Sequence, residues 1–108
     1  MKNLKHETYN DGVVFYGEIK TLFNSYKKKI GEEFSRKGKL FFKELSARES
    51  DVMVANDLGY KIDKKIKTYS RPDITRKSKV KINNELYDIV SMDKDKINMY
   101  LYLQRVGD

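Results

Sequence analysis

Near the C-terminal end of the chain, Ile97, Met99, Leu101 and Leu103 alternate with Asn98, Tyr100, Tyr102 and Gln104. A period of two held over this length describes a strand with one face buried. Upstream, Lys79-Val80-Lys81-Ile82 alternates in the same way, and Leu86-Tyr87-Asp88-Ile89-Val90 is rich in strand formers. The runs are separated by Asn83-Asn84-Glu85 and Asp93-Lys94-Asp95-Lys96, which are short, polar and turn-like. Links this short join antiparallel strands, because a parallel crossover needs a dozen residues or more. Residues 59–106 are therefore expected to form an antiparallel β-meander that the rest of the chain covers or closes.

A chain of 108 residues has room for one domain. It can bury roughly two-thirds of its unfolded surface, enough for a modest core. Cysteine is absent, which excludes disulfides and thiolate metal sites. No apolar run approaches the roughly 20 residues that span a bilayer, and the N-terminus lacks a signal-like hydrophobic stretch. The expectation is a soluble chain made in the cytoplasm. The formal net charge is +7, and arginine supplies only Arg36, Arg48, Arg71, Arg76 and Arg105, so the excess is lysine. That balance suits an anionic neighbour such as nucleic acid, although dispersed lysines also serve solubility alone.

Residues 1–11 show no periodicity and read as a flexible N-terminal arm or one that docks on a partner, with 12–107 as the single β-rich domain. His6, the one histidine, lies in that arm. A first strand runs through Val13-Val14-Phe15-Tyr16-Gly17-Glu18-Ile19, with Val13, Phe15 and Ile19 expected on one face. Residues 19–35 are ambiguous between strand and helix. Ile19, Leu22, Phe23, Tyr26, Ile30 and Phe34 fit helical spacing, yet Asn24-Ser25 and Gly31 interrupt it, and Lys27-Lys28-Lys29 before Ile30-Gly31 looks like a hairpin tip. Lys39–Leu45 is a second strand. Ser46-Ala47-Arg48-Glu49 has the form of a capping box and predicts one short α-helix over about residues 47–58, ended by Gly59. Tyr60, Ile62, Ile66 and Thr68 then define a strand face that Lys64 breaks, where a bulge or strand end is expected. The single proline, in Arg71-Pro72-Asp73, predicts a turn.

Catalytic constellations are not evident. There is no Gly-rich phosphate loop, and the carboxylates Glu32, Glu33, Glu44 and Glu49 form no persuasive acid–base pair. Asp93-x-Asp95 near Asp88 has oxygen ligands for a divalent cation, but Asp-Lys-Asp-Lys is also ordinary turn chemistry. The expectation is a protein that is not an enzyme and has no cofactor or metal. Two features remain. Tyr100 and Tyr102 lie opposite the apolar stripe of the last strand, as a contact surface, a base-stacking platform or semi-buried packing. Lys61, Lys65 and Lys67, with Lys77, Lys79 and Lys81 on the next strand, form a candidate basic stripe facing a phosphate backbone.

The order of these features resembles the head–tail joining proteins of tailed bacteriophages, also called head-closure or head-completion proteins. A strand ending in Leu40–Ser46 precedes the helix opened by Arg48-Glu49-Ser50-Asp51; the strand Tyr60–Tyr69 and the turn Arg71-Pro72-Asp73-Ile74 follow. Ile74, Val80, Tyr87, Ile89 and Leu101 occupy places of the family's late turn, hairpin and final strand. The similarity spans residues 12–107 and departs in the first third, where Lys27–Gly31 has no fixed counterpart. It implies a mainly β fold: a small antiparallel β-barrel or sandwich of about six strands with one short α-helix, and a hairpin over residues 19–35. It also implies a structural, non-enzymatic virion component that forms a ring, with a portal or adaptor protein above, a tail protein below and packaged double-stranded DNA in the channel. The protein would be made in the bacterial cytoplasm, be monomeric when free and touch no membrane. On this resemblance Tyr100, Tyr102, Arg71 and Asp73 are candidate protein contacts, and the helix, through Ser50, Asp51 and Met53, is a candidate gating segment. The alternatives are an OB-like small barrel that binds single-stranded nucleic acid through Tyr100, Tyr102 and the lysine stripe, and a monomeric adaptor.

Overall fold

In a computed structural model, which describes residues 9–46 and 49–107, the alternating runs become six strands of one antiparallel sheet. These are β1 (Gly12–Phe23), β2 (Lys29–Leu45), β3 (Lys64–Tyr69), β4 (Lys79–Ile82), β5 (Glu85–Lys94) and β6 (Asn98–Arg105), with helix α1 (Glu49–Asp57) between β2 and β3. The sheet closes on itself as a barrel in the order β1-β2-β3-β6-β5-β4.

The expected meander is confirmed for β4, β5 and β6. It does not extend to β3, which pairs with β2 on one side and β6 on the other. Residues 70–78 then cross the end of the barrel to begin β4. The order 3-6-5-4 makes a Greek key, and the long connection carries the chain past two strands. Ile74 on this crossover is fully buried and stops the barrel end. The Tyr16 hydroxyl donates to Asp73 Oδ2 (3.3 Å), and Arg76 donates to the Val90 carbonyl (2.9 Å).

The core is formed by the inward residues of every strand. Val14, Tyr16, Leu40, Phe42, Ile66, Val80, Ile82, Tyr87, Ile89, Met99, Leu101 and Leu103 form one cluster with Ile74. The buried face of β1 is therefore Val14 and Tyr16, and Val13, Phe15 and Ile19 lie on the other face. Alternation cannot choose between two faces that are both apolar, and closure of the barrel made the choice. Ile97, expected to begin the apolar stripe of β6, is exposed because the strand begins at Asn98. β3 begins at Lys64, so the break in its pattern marks a strand end, and Tyr60 and Ile62 precede the strand. Val90 is the extra residue of a bulge in β5 between Ile89 and Ser91, so Ile89 and Val90 are buried in succession. The β4–β5 turn uses Asn83 and Asn84 with φ of 51° and 66°, the left-handed pair of a two-residue hairpin.

α1 is shorter than expected. Its proposed capping box falls partly on Ala47 and Arg48, outside the described residues. Its C-terminus is a Schellman motif: Tyr60 N–H donates to the Ala55 carbonyl (2.8 Å), Gly59 N–H donates to that of Asn56 (3.0 Å), and Gly59 has φ +85°. The first eight residues of the expected arm lie outside the described residues, whereas Tyr9 and Asp11 are docked on the barrel. Tyr9 meets the Tyr69 ring edge-on and its hydroxyl donates to Asn98 Oδ1. Asp11 Oδ2 accepts from Glu44 N–H at 2.7 Å.

Residues 19–35 form a hairpin. β1 and β2 pair from Gly12–Phe42 out to Phe23–Lys29, whereas β4 reaches only Phe15–Gly17 of β1 and β3 only Phe42–Leu45 of β2. Residues 18–36 therefore project as a two-stranded ribbon about 20 Å long. The radius of gyration of 16.0 Å, against about 13 Å for a compact chain of similar length, and the 67 × 33 × 23 Å extents reflect this arm. It leaves the barrel at a bulge where β1 steps from pairing with Gly38 to pairing with Arg36. A Cβ on Gly17 would stand 1.9 Å from the Ser35 carbonyl oxygen, so the two backbones approach at a distance only glycine permits. Gly17→Ala is accordingly expected to lower unfolding free energy by about 1–3 kcal/mol in denaturant titration, an overpacking cost. The truncation Leu101→Ala, inside the barrel, is expected to cost about 2–5 kcal/mol.

Candidate protein-contact site

The barrel order breaks the expected basic stripe. In a ring of six strands β3 and β4 stand opposite each other, so Lys65 and Lys67 of β3 are separated from Lys79 and Lys81 of β4, while Lys61 and Lys77 lie outside both strands. The stripe was expected because β3 and β4 are consecutive in sequence, but they are not neighbours in the sheet. Most of these lysines have local roles. Lys61 pairs with Asp63 at 3.5 Å, and Lys79 pairs with Asp88 across the β4–β5 ladder. Lys81 lies 5.7 Å from the Phe34 ring.

The tyrosines of β6 divide in the same way. Tyr102 is 4% exposed, and its hydroxyl donates to Asp93 Oδ2 at 3.3 Å. Lys65, itself buried, places its ammonium 5.0 Å from the Tyr102 ring and 5.9 Å from Tyr100, while Lys67 lies 5.6 Å from Tyr100. These cation–π contacts occupy the faces that a stacking platform would need free. Tyr102 is thus a packing residue, and Tyr100 keeps a partly exposed ring.

Asp95 holds the β5–β6 turn. Its Oδ1 accepts from Ile97 N–H (2.9 Å) and Asn98 N–H (2.7 Å), and these bonds hold its carboxyl below the usual carboxylate range. The pair Asp93 and Asp95 is therefore divided between a tyrosine and a turn, and no group of three or more acidic or histidine side chains among the described residues is arranged to hold a metal. Burial first, and then the charge of Asp73, raises the Tyr16 hydroxyl above its ordinary value. Asp73 thus ties the crossover to the barrel, while Arg71 beside it is exposed and its carbonyl accepts from Lys94 Nζ at 3.1 Å.

Two apolar features stand out on the surface, one beside the helix and one at the hairpin tip that Lys27–Gly31 suggests. The first is a groove of about 310 Å³ between α1 and the outer face of β5 and β6. Its walls are Val54, Leu58, Tyr60, Ile62, Val90 and Tyr102, with Arg76 and Asp93 as polar members. α1 buries Ala55 but leaves Met53 and Val54 exposed, as is Leu58 just after it. Of the expected gating residues, Met53 is on this exposed surface, and the side chains of Ser50 and Asp51 lie outside the described set. The second feature is the hairpin tip, where Phe23, Tyr26 and Ile30 are exposed, Tyr26 to 87%. The tip is nonetheless ordered by hydrogen bonds. Asn24 Oδ1 accepts from the N–H groups of Tyr26 (2.8 Å) and Lys28 (3.0 Å), and Lys27 adopts φ 62°. The signal for both was apolar residues left over once every core position was filled, and it becomes legible only when the core is known.

No protein-family model matches the chain, and a search of curated proteins finds no match. No helix among the described residues is long and apolar enough to cross a membrane.

A group whose folded pKa is lowered contributes stability above its unfolded pKa and loses it as pH falls through the folded value. Asp95→Asn is therefore expected to be less stable than the parent protein at neutral pH. The difference should shrink on acidification below the ordinary carboxylate range, as read from thermal melts across pH.

Proposed function

We propose that this protein is a structural ring subunit of a tailed-phage head–tail connector, joining a portal or adaptor above to the tail below and helping to close the DNA channel. The observation that carries the proposal is the free-standing ribbon of residues 18–36. A two-stranded ribbon is marginal on its own in water, and this one ends in exposed Phe23, Tyr26 and Ile30. Such an arm is stabilised by lying against another chain, as a subunit built for assembly requires. The closed barrel with one short helix is the fold the resemblance implies, and the net charge of +7 is compatible with DNA in a channel.

The OB-like alternative has less support. It needs exposed aromatic faces beside one continuous basic groove, but Tyr102 is buried, and Lys65 and Lys67 are on the strand opposite Lys79 and Lys81. Of the six lysines expected to face a phosphate backbone, Lys65 is buried, and Lys61 and Lys79 are paired with Asp63 and Asp88.

Light scattering combined with DNA titration at two salt concentrations tests the proposal. The expected result is a small species that binds single strands weakly and joins a higher-order ring when mixed with a portal complex. Tight binding of single strands with a steep salt dependence, abolished by Tyr100→Ala with Lys67→Ala, would favour the nucleic-acid module instead. Tyr100 is chosen because Tyr102, being buried, would confound binding with stability.

A further inference from the structure

The arm and the groove lie on opposite sides of one molecule. In the order β1-β2-β3-β6-β5-β4, β1 stands across the barrel from β6 and β2 from β5. The ribbon is a continuation of β1 and β2, and the groove opens on the outer face of β5 and β6. A chain therefore presents an apolar projection on one side and an apolar recess on the other.

We infer that the β1–β2 tip of one copy seats in the α1 groove of the next, making the head-to-tail contact of the proposed ring; the inference rests on the connector reading and assigns its subunit interface. The two surfaces are complementary in kind. The tip offers Phe23, Tyr26 and Ile30, and the recess offers Val54, Leu58, Tyr60, Ile62 and Val90. They are also complementary in charge. The tip carries Lys27, Lys28 and Lys29, the last paired with Glu32 at 3.6 Å. The described charges at the recess are Asp93 and Arg76 in its wall and Asp57 at the end of α1, an excess of acid that favours a lysine-bearing tip over an acidic one. The turn held by Asn24 presents Tyr26 without further ordering, which lowers the entropic cost of docking. Unlike surfaces that meet head to tail generate a ring when the rotation closes, and each contact can be weak because closure and the portal supply the rest through effective concentration.

The chain has no cysteine, so single thiols can be placed without background. Tyr26→Cys and Leu58→Cys are exposed substitutions, and circular dichroism checks that each variant folds. The two full-length variants are mixed at high concentration with a short bis-maleimide while light scattering records mass. The expected result is a mixed dimer formed about tenfold faster than with a control pair of Tyr26→Cys and exposed Lys39→Cys, consistent with a raised local concentration. A chain carrying both Tyr26→Cys and Leu58→Cys is expected to give a ladder of higher oligomers, and adding Lys27→Glu and Lys28→Glu is expected to suppress it. Oligomers that form without the Tyr26–Leu58 link would overturn this interface while leaving the connector function standing. Equal rates for the mixed and control pairs, with a monomeric mass throughout, would overturn it as well; the connector function would then be judged separately by co-assembly with the portal complex.

Discussion

Barrel closure depends on the short seam between β1 and β4, where Phe15, Tyr16 and Gly17 meet Lys81, Val80 and Lys79. Every other neighbouring pair is joined over a longer ladder or by a tight turn. Two backbone features shape β1 against β2 on its other edge. Gly17 allows β1 to lie against the Ser35 carbonyl, and Gly38 leaves space that the Tyr16 ring fills, since a Cβ there would stand 2.6 Å from the tyrosine oxygen. The bulge between these glycines turns β1 and β2 from barrel wall into projecting ribbon. The residues of β1 that pair with β4 therefore end where the arm begins.

The arrangement makes the protein's surface asymmetric in a useful way. The barrel end is stopped by Ile74 and the crossover, tied by Asp73 to Tyr16 and by Arg76 to Val90. Most apolar side chains left outside are gathered at the ribbon tip and beside α1. Exposed apolar groups gathered in this way mark surfaces of contact, whereas scattered ones need no explanation. The lysines, by contrast, are spread around the barrel, and several engage acidic or aromatic neighbours. The lysines of β3 and those of β4 thus form no single stripe.

Much of the architecture was legible because it rests on local chemistry. The period of two in Met99–Leu103, the Asn83-Asn84 turn and Gly59 at the helix end each act within a few residues, and each does in the structure what its chemistry requires. Lys64, by interrupting an alternation, marked the start of β3. Residues 19–35 stayed ambiguous because apolar residues at helical spacing and a Gly- and Asn-punctuated hairpin are both compatible with the same string. Pairing with the rest of β1 and β2 decided between them.

The sequence by itself determined that the chain is β-rich, which residues alternate, where the meander turns and where the one helix stops, since backbone propensity and periodicity are properties of neighbours in the chain. Tertiary structure alone decided that β3 lies between β2 and β6. That placement separates the lysines of β3 from those of β4, buries Tyr102 under α1 and Lys65, and sets the arm across the barrel from the groove. Strand order is set by which faces can be buried together when the sheet closes, a property of the whole core that no local window of residues contains.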